Sequence, residues 1–165
     1  YGIVGKRRKN CIDRSEYSEV VAVCDKSYTA SGKTDDGINF FPTYSELIQE
    51  DLDALLVCMP NQIAAEVTIA GLKAGLHTFC EKPPGRTVDD ITSVIKIEKQ
   101  NPALKLMYGF NHRYHDSVQE ALKLIRSGEM GKLINMRGVY GKAGSIDFHE
   151  NWRNYKKYSG HQARF

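Results

Sequence analysis

Apolar residues along the chain gather into short continuous runs separated by segments of helical period. The runs are Ile3-Val4, Val20-Val21-Ala22-Val23-Cys24, Ile38-Asn39-Phe40-Phe41, Ala54-Leu55-Leu56-Val57-Cys58-Met59, Thr78-Phe79-Cys80 and Leu104-Lys105-Leu106-Met107-Tyr108. Runs that are continuous more than alternating predict strands covered by helices on both faces. Between them, Ile63, Val67, Ala70 and Ala74 recur at helical steps, and Gly75 stands where a C-terminal cap belongs. Thr87-Val88-Asp89-Asp90 reads as a capped helix start with acids in the first turn, continued by an apolar face of Val88, Ile91 and Ile95. Val118, Ala121, Leu122 and Ile125 form another such face, closed by Gly128. Strands alternating with helices of this length predict an α/β fold, a doubly wound parallel sheet.

The pattern changes after Gly131. Residues Lys132 to Tyr140 alternate polar and apolar side chains, as a half-exposed strand of an antiparallel sheet would. The expected organisation is a first domain over 1–112, followed over 113–165 by the start of an α+β domain with an antiparallel sheet. Those last residues are marginal for a core of their own. Nothing from Gly160 to Phe165 resembles a terminating element, so the sequence reads as part of a longer chain.

Composition narrows the function classes. The 165 residues are 41% hydrophobic and 26% charged, ordinary values for a globular chain. No apolar run reaches the roughly 18–20 residues of a membrane helix, and Tyr1-Gly2-Ile3-Val4-Gly5 lacks the basic region of a signal peptide. A net charge of +3 argues against nucleic-acid and membrane partners, and the basic run Lys6 to Lys9 is short and has no interleaved aromatics. Cys11, Cys24, Cys58 and Cys80 stand far apart with no CxxC pair, which speaks against a metal site and for reduced thiols in a cytoplasmic protein.

The chemistry lies at the ends of the predicted strands. A strand from Ile3 to Gly5 is expected to lead into a turn, and Asp25 closes the second strand twenty residues after Gly5. That spacing matches the carboxylate that accepts hydrogen bonds from an adenosine ribose in dinucleotide folds. A carboxylate pairs with two ribose hydroxyls and repels a 2′-phosphate, favouring NAD; Lys26 beside it weakens the preference and keeps NADP as the alternative. The glycine motif is not found after Gly5, where Lys6-Arg7-Arg8-Lys9-Asn10 follows. Only 14 residues separate Gly5 from Val20. That is near the lower limit of about 10–12 for a crossover, so residues are expected to be missing here. The basic run reads either as a solvated loop or as direct phosphate contact.

The stretch from Leu55 to His115 is the most specific. It holds Val57-Cys58-Met59-Pro60-Asn61, then Ala74-Gly75-Leu76-His77, then Cys80-Glu81-Lys82-Pro83-Pro84, and ends in Tyr108-Gly109-Phe110-Asn111-His112-Arg113. With Ser127-Gly128-Glu129-Met130-Gly131-Lys132-Leu133 and Trp152-Arg153 further on, this succession resembles the Gfo/Idh/MocA family of dinucleotide-dependent oxidoreductases. The resemblance implies a Rossmann domain followed by the first part of a substrate and oligomerisation domain. It also implies hydride transfer between a nicotinamide and a CH–OH or ketone carbon of a sugar, cyclitol or nucleotide-linked sugar.

In such enzymes the lysine matching Lys82 sits by the reacting hydroxyl. A lysine suits that place because burial and a cationic neighbour both favour its neutral form. The peptide before the matching proline, here Pro83, is often cis. Pro60 and Asn61 match groups that lie against the cofactor, Glu81 belongs to the same lining, and Asn111 and Arg113 match residues facing nicotinamide and substrate. Trp152 and Arg153 match a pair approaching from the second domain.

The family often has a histidine where Ala64 stands, and it supplies an Asp and a His from a second-domain helix that have no counterpart here; His161 lacks the preceding acid. His112 and His115 read as structural more than catalytic. The family's second domains commonly pair into dimers or tetramers, so a homo-oligomer is expected. A non-catalytic NAD(P)-binding sensor on the same fold is the alternative that the irregular glycine turn leaves open.

Overall fold

The computed structural model describes residues 1–139, 141, 150 and 152–160. In chain order the elements are α1 (Ile3–Ile12), β1 (Ala22–Cys24), β2 (Gly32–Lys33), β3 (Asn39–Phe41), α2 (Tyr44–Leu47), β4 (Ala54–Val57) and α3 (Asn61–Lys73). They continue with β5 (His77–Cys80), α4 (Val88–Gln100), β6 (Leu106–Tyr108), a 3-10 turn at Asn111–Tyr114, α5 (Asp116–Ser127), a 3-10 turn at Trp152–Asn154 and α6 (Lys156–Ser159).

The strands form two three-stranded sheets. One has the order β4-β5-β6 with every pair parallel, Leu55 opposite Thr78 and Phe79 opposite Met107. The other has the order β1-β3-β2, with β1 and β3 parallel and the short β2 antiparallel to β3. The parallel strands therefore step outward from β4 through β5 to β6 on one side and from β1 to β3 on the other, with the short antiparallel β2 at the edge, which is the doubly wound arrangement expected from the sequence. An apolar cavity of about 160 Å³ lies between β1 and β4, lined by Val21, Val23, Leu55 and Val57 and bounded by Gly5 and Arg8 of α1.

The core joins Leu55, Val57 and Cys80 of the β4-β5-β6 sheet to Ala64 and Val67 of α3 and Leu47 of α2. On the other side of α3, Ala65 and Leu72 meet Val94 of α4. Helix ends follow their local chemistry. The Thr87 side chain accepts from the Asp90 amide, and the Asp90 carboxylate reaches back to the Thr87 amide, a complete capping box at α4. Helix α3 ends at Ala74 ahead of Gly75, and α5 ends at Gly128; both glycines take φ +82°, the left-handed conformation that costs them least.

Two expectations are corrected. Ile3 to Gly5 is not a strand but the first turn of α1. Two apolar residues are too few for a buried strand, whereas Lys and Arg are good helix formers and Lys9 bonds to Asp13 one turn on at 2.9 Å. Second, residues 132–139 form no strand, and Tyr140 lies outside the described residues. Leu133, Ile134, Met136 and Val139 are exposed; no other strand pairs with this segment among the described residues, and an alternating pattern alone does not hold a strand. The antiparallel pairing occurs instead between β2 and β3. Residues 161–165, including His161, lie outside the described set.

No helix among the described residues is long and apolar enough to cross a membrane. All four cysteines are free thiols, Cys80 buried, Cys24 and Cys58 half-buried and Cys11 exposed.

Candidate active site

Most of the expected residues collect at the carboxyl ends of the strands, around the switch point between β1 and β4. Asp25 follows β1, Met59-Pro60-Asn61 follows β4, Glu81-Lys82 follows β5 and Gly109 to Arg113 follows β6. Ligands of open α/β sheets bind in this crevice.

Helix α1 points into the same region. Gly2 is its N-cap, no side chain caps it, and no acid stands in its first turn. The helix dipole and the first N–H groups therefore suit an anion such as a pyrophosphate. A Cβ built on Gly2 would meet nothing within 4 Å, so its space is open to a ligand, whereas one on Gly5 would touch the Tyr1 ring at 3.5 Å and Cys58 Cβ at 3.9 Å. Gly2 was not singled out from the sequence. The signal was there: Gly2-Ile3-Val4-Gly5 has the spacing of the last two glycines of a G-x-G-x-x-G turn, and reading Ile3-Val4 as a strand concealed it. The residues present fit a dinucleotide.

Asp25 accepts from the Ser27 amide at 2.9 Å. The basic run of α1 is neither a solvated loop nor set against a ligand throughout. Lys9 pairs with Asp13 and with Asp36 at 3.8 Å, and Arg8 reaches across to Glu81.

Lys82 is exposed at the end of β5, and the Lys82–Pro83 peptide is cis. The Glu81 amide extends the sheet ladder by donating to the Val57 carbonyl at 2.9 Å, while its carboxylate is taken up by Arg8 and does not face open crevice. Burial first, then the Glu81 charge, pushes the Cys58 thiol up to about 11 despite Arg8.

Asn61 is buried at the start of α3, and its amide donates to the Ser159 carbonyl at 3.0 Å. Its side-chain amide nitrogen is therefore engaged by α6. Ala64 is buried in the core, where a histidine would not fit without repacking. Asn111 and Arg113 are exposed in the turn after β6, and the His112 and His115 rings lie 4.6 Å apart. Trp152 and the Arg153 backbone lie in the turn before α6, which packs on α3; the Arg153 side chain is outside the described set. No group of three or more His, Cys, Asp or Glu could hold a metal among the described residues.

A parallel switch point with an uncapped helix aimed at it, a carboxylate after β1 and a lysine after β5 define a dinucleotide-binding α/β unit. Residues 1–110 match the model of the oxidoreductase family with an NAD-binding Rossmann fold, and the chain belongs to that family, Gfo/Idh/MocA. It is 31% identical over 133 residues to inositol 2-dehydrogenase of Salmonella typhimurium, covering 78% of this chain and 40% of that protein. Over 112 residues it is 32% identical to levoglucosan dehydrogenase of Pseudarthrobacter phenanthrenivorans, covering 67% and 28%. The crystal structure of myo-inositol 2-dehydrogenase from Lactobacillus plantarum superposes with a TM-score of 0.68 at 28% identity, over 81% of this chain and 41% of that one. The chain thus spans about two fifths of the length of the inositol dehydrogenases it matches.

Proposed function

We propose that this chain binds NAD, or NADP as the alternative, across its strand ends and serves an enzyme that interconverts a CH–OH group and a ketone on a sugar, cyclitol or nucleotide-linked sugar. The observation that carries the reading is that Asp25, Pro60-Asn61 and Lys82 follow the carboxyl ends of β1, β4 and β5 in the sheet's crevice, with the uncapped start of α1 next to the end of β1. Bound NAD supplies a nicotinamide carbon that accepts hydride. The chain's own groups do the rest. The α1 terminus and Gly2 hold the pyrophosphate, Gly5 belongs to the same turn, and Asp25 accepts from ribose hydroxyls. Lys82 takes the substrate hydroxyl proton as the C–H hydride leaves the same carbon and the C=O bond forms; ketone reduction is the reverse.

Asn111 and Arg113 orient substrate, with Pro60, Asn61, Trp152 and Arg153 closing the cofactor side. Residues from 113 onward belong, on this reading, to a second domain that also pairs subunits; the face of Val118, Leu122 and Ile125 on α5 has no buried residue. Turnover of a polyol panel, followed by reduced-nicotinamide absorbance, tests the assignment. Lys82→Met should abolish turnover while sparing NAD binding, and an active Lys82→Met protein would overturn the role given to Lys82.

A further inference from the structure

The Glu81 carboxylate lies between two elements that the chemistry needs in register. Arg8, on the second turn of α1, donates from Nε to Glu81 Oε1 at 2.6 Å, and its Nη2 bonds to the same oxygen. The guanidinium also lies 5.6 Å from the centroid of the Phe79 ring on β5. The other carboxylate oxygen rests against Gly109, where a built Cβ would come within 2.9 Å of Oε2 and 3.2 Å of the Phe79 ring. The seat for this carboxylate exists because residue 109 has no side chain. The pair is sheltered, the Arg8 and Glu81 side chains keeping 35% and 13% of their exposure, so solvent and salt screen it less than a surface pair.

Successive residues of an extended chain point to opposite sides. Glu81 faces inward to α1, and Lys82, next in sequence, is exposed. We propose that Arg8 and Glu81 are positioning residues, a clamp that fixes the distance between the pyrophosphate-binding start of α1 and the Lys82 loop. This inference rests on the cofactor reading above. Glu81 then acts through Arg8, without touching NAD.

A ligand that spans both ends of the crevice feels this distance, and one that engages only the helix end does not. NADH and ADP-ribose, which lacks the nicotinamide, make the comparison. Their affinities for the full chain would be measured for wild type, Arg8→Met, Glu81→Gln, Gly109→Ala and the reversed pair Arg8→Glu/Glu81→Arg, with thermal midpoints alongside. Loss of one partner of a sheltered charge pair is expected to weaken NADH about tenfold or more, while ADP-ribose changes less than about twofold. Removing both partners should cost no more than removing one, and the reversed pair should recover part of the loss. Gly109→Ala should imitate Glu81→Gln by unseating the carboxylate.

Equal losses for the two ligands, or unchanged NADH affinity in Arg8→Met and Glu81→Gln, would overturn the clamp. Glu81→Gln keeps the side-chain shape, so it remains informative if the reversed pair does not fold. A wild-type chain that binds neither ligand would overturn the cofactor reading itself, and the clamp with it.

Discussion

Replacing Gly71 by alanine sets two effects of opposite sign against each other. Gly71 is in the last third of α3, on the face turned to the sheet. A Cβ built there would lie 2.7 Å from Leu55 Cδ2, 3.0 Å from Thr78 Oγ1 and 3.6 Å from Leu55 Cβ. Carbon atoms pack well at about 3.5–4.0 Å, so α3 or Leu55 must yield by most of an ångström. Leu55 is 7% exposed and Thr78 2%, and the Thr78 hydroxyl is already bonded to the Leu76 carbonyl at 3.1 Å. Thr78 is held by that bond, while the Leu55 methyl can give way only in part, toward the small cavity that Leu55 lines.

Overpacking of this kind costs about 1–3 kcal/mol, while alanine in a helix interior recovers about 0.8–1.0 kcal/mol over glycine. The expected balance is a loss of about 1 kcal/mol, or about 4–8 °C in a domain of roughly 100 residues. Urea unfolding and a thermal scan of both proteins measure it. A Gly71→Ala protein as stable as wild type, or more stable, would show that helix propensity outweighs the packing and refute the close approach of α3 to the sheet.

Gly2→Ala should leave thermal stability within about 0.5 kcal/mol, because the new methyl group meets no protein atom, yet weaken NADH binding by obstructing the pyrophosphate; calorimetry of the same sample separates the two. Thr87→Ala should cost about 1 kcal/mol in denaturant unfolding. Its partner Asp90 has a pKa lowered first by the Arg86 amide bond, then by those to Thr87. A lowered folded-state pKa adds stability that is complete above the ordinary carboxylate value and drains away as pH falls through the lowered one, so Asp90→Asn should flatten that acid limb. With iodoacetamide at neutral pH, peptide mass spectrometry should find the exposed Cys11 modified first, buried Cys80 last, and Cys58 slow until the pH nears its thiol value of about 11.

The helices and parallel strands were legible because their signals are local. The Thr87 to Asp90 cap, the glycines after α3 and α5, and the apolar runs of β4 to β6 each depend on a few adjacent residues. Two other features depended on distant partners. Ile3-Val4 reads as a strand start until the four basic residues behind it are taken as helix, and Lys132 to Tyr140 has a strand's alternation without a strand beside its described residues. The placement of Asp25 and Lys82 at strand ends was legible from spacing and from the Glu81-Lys82-Pro83 motif. The Arg8–Glu81 pair, 73 residues apart, and the bond from Asn61 to Ser159 carry no sequence signal, since only the tertiary fold brings those side chains together. Gly71, inside a well-formed helical pattern, shows its purpose only once β4 and β5 are packed beneath it.

Titration of this chain with NADH in a calorimeter, repeated in the presence of excess ADP-ribose, probes the proposed crevice most directly. One NADH should bind per chain with a saturable heat, and ADP-ribose should compete it away. No saturable binding at millimolar NADH would contradict the assignment of α1, Asp25 and Lys82 to a dinucleotide site.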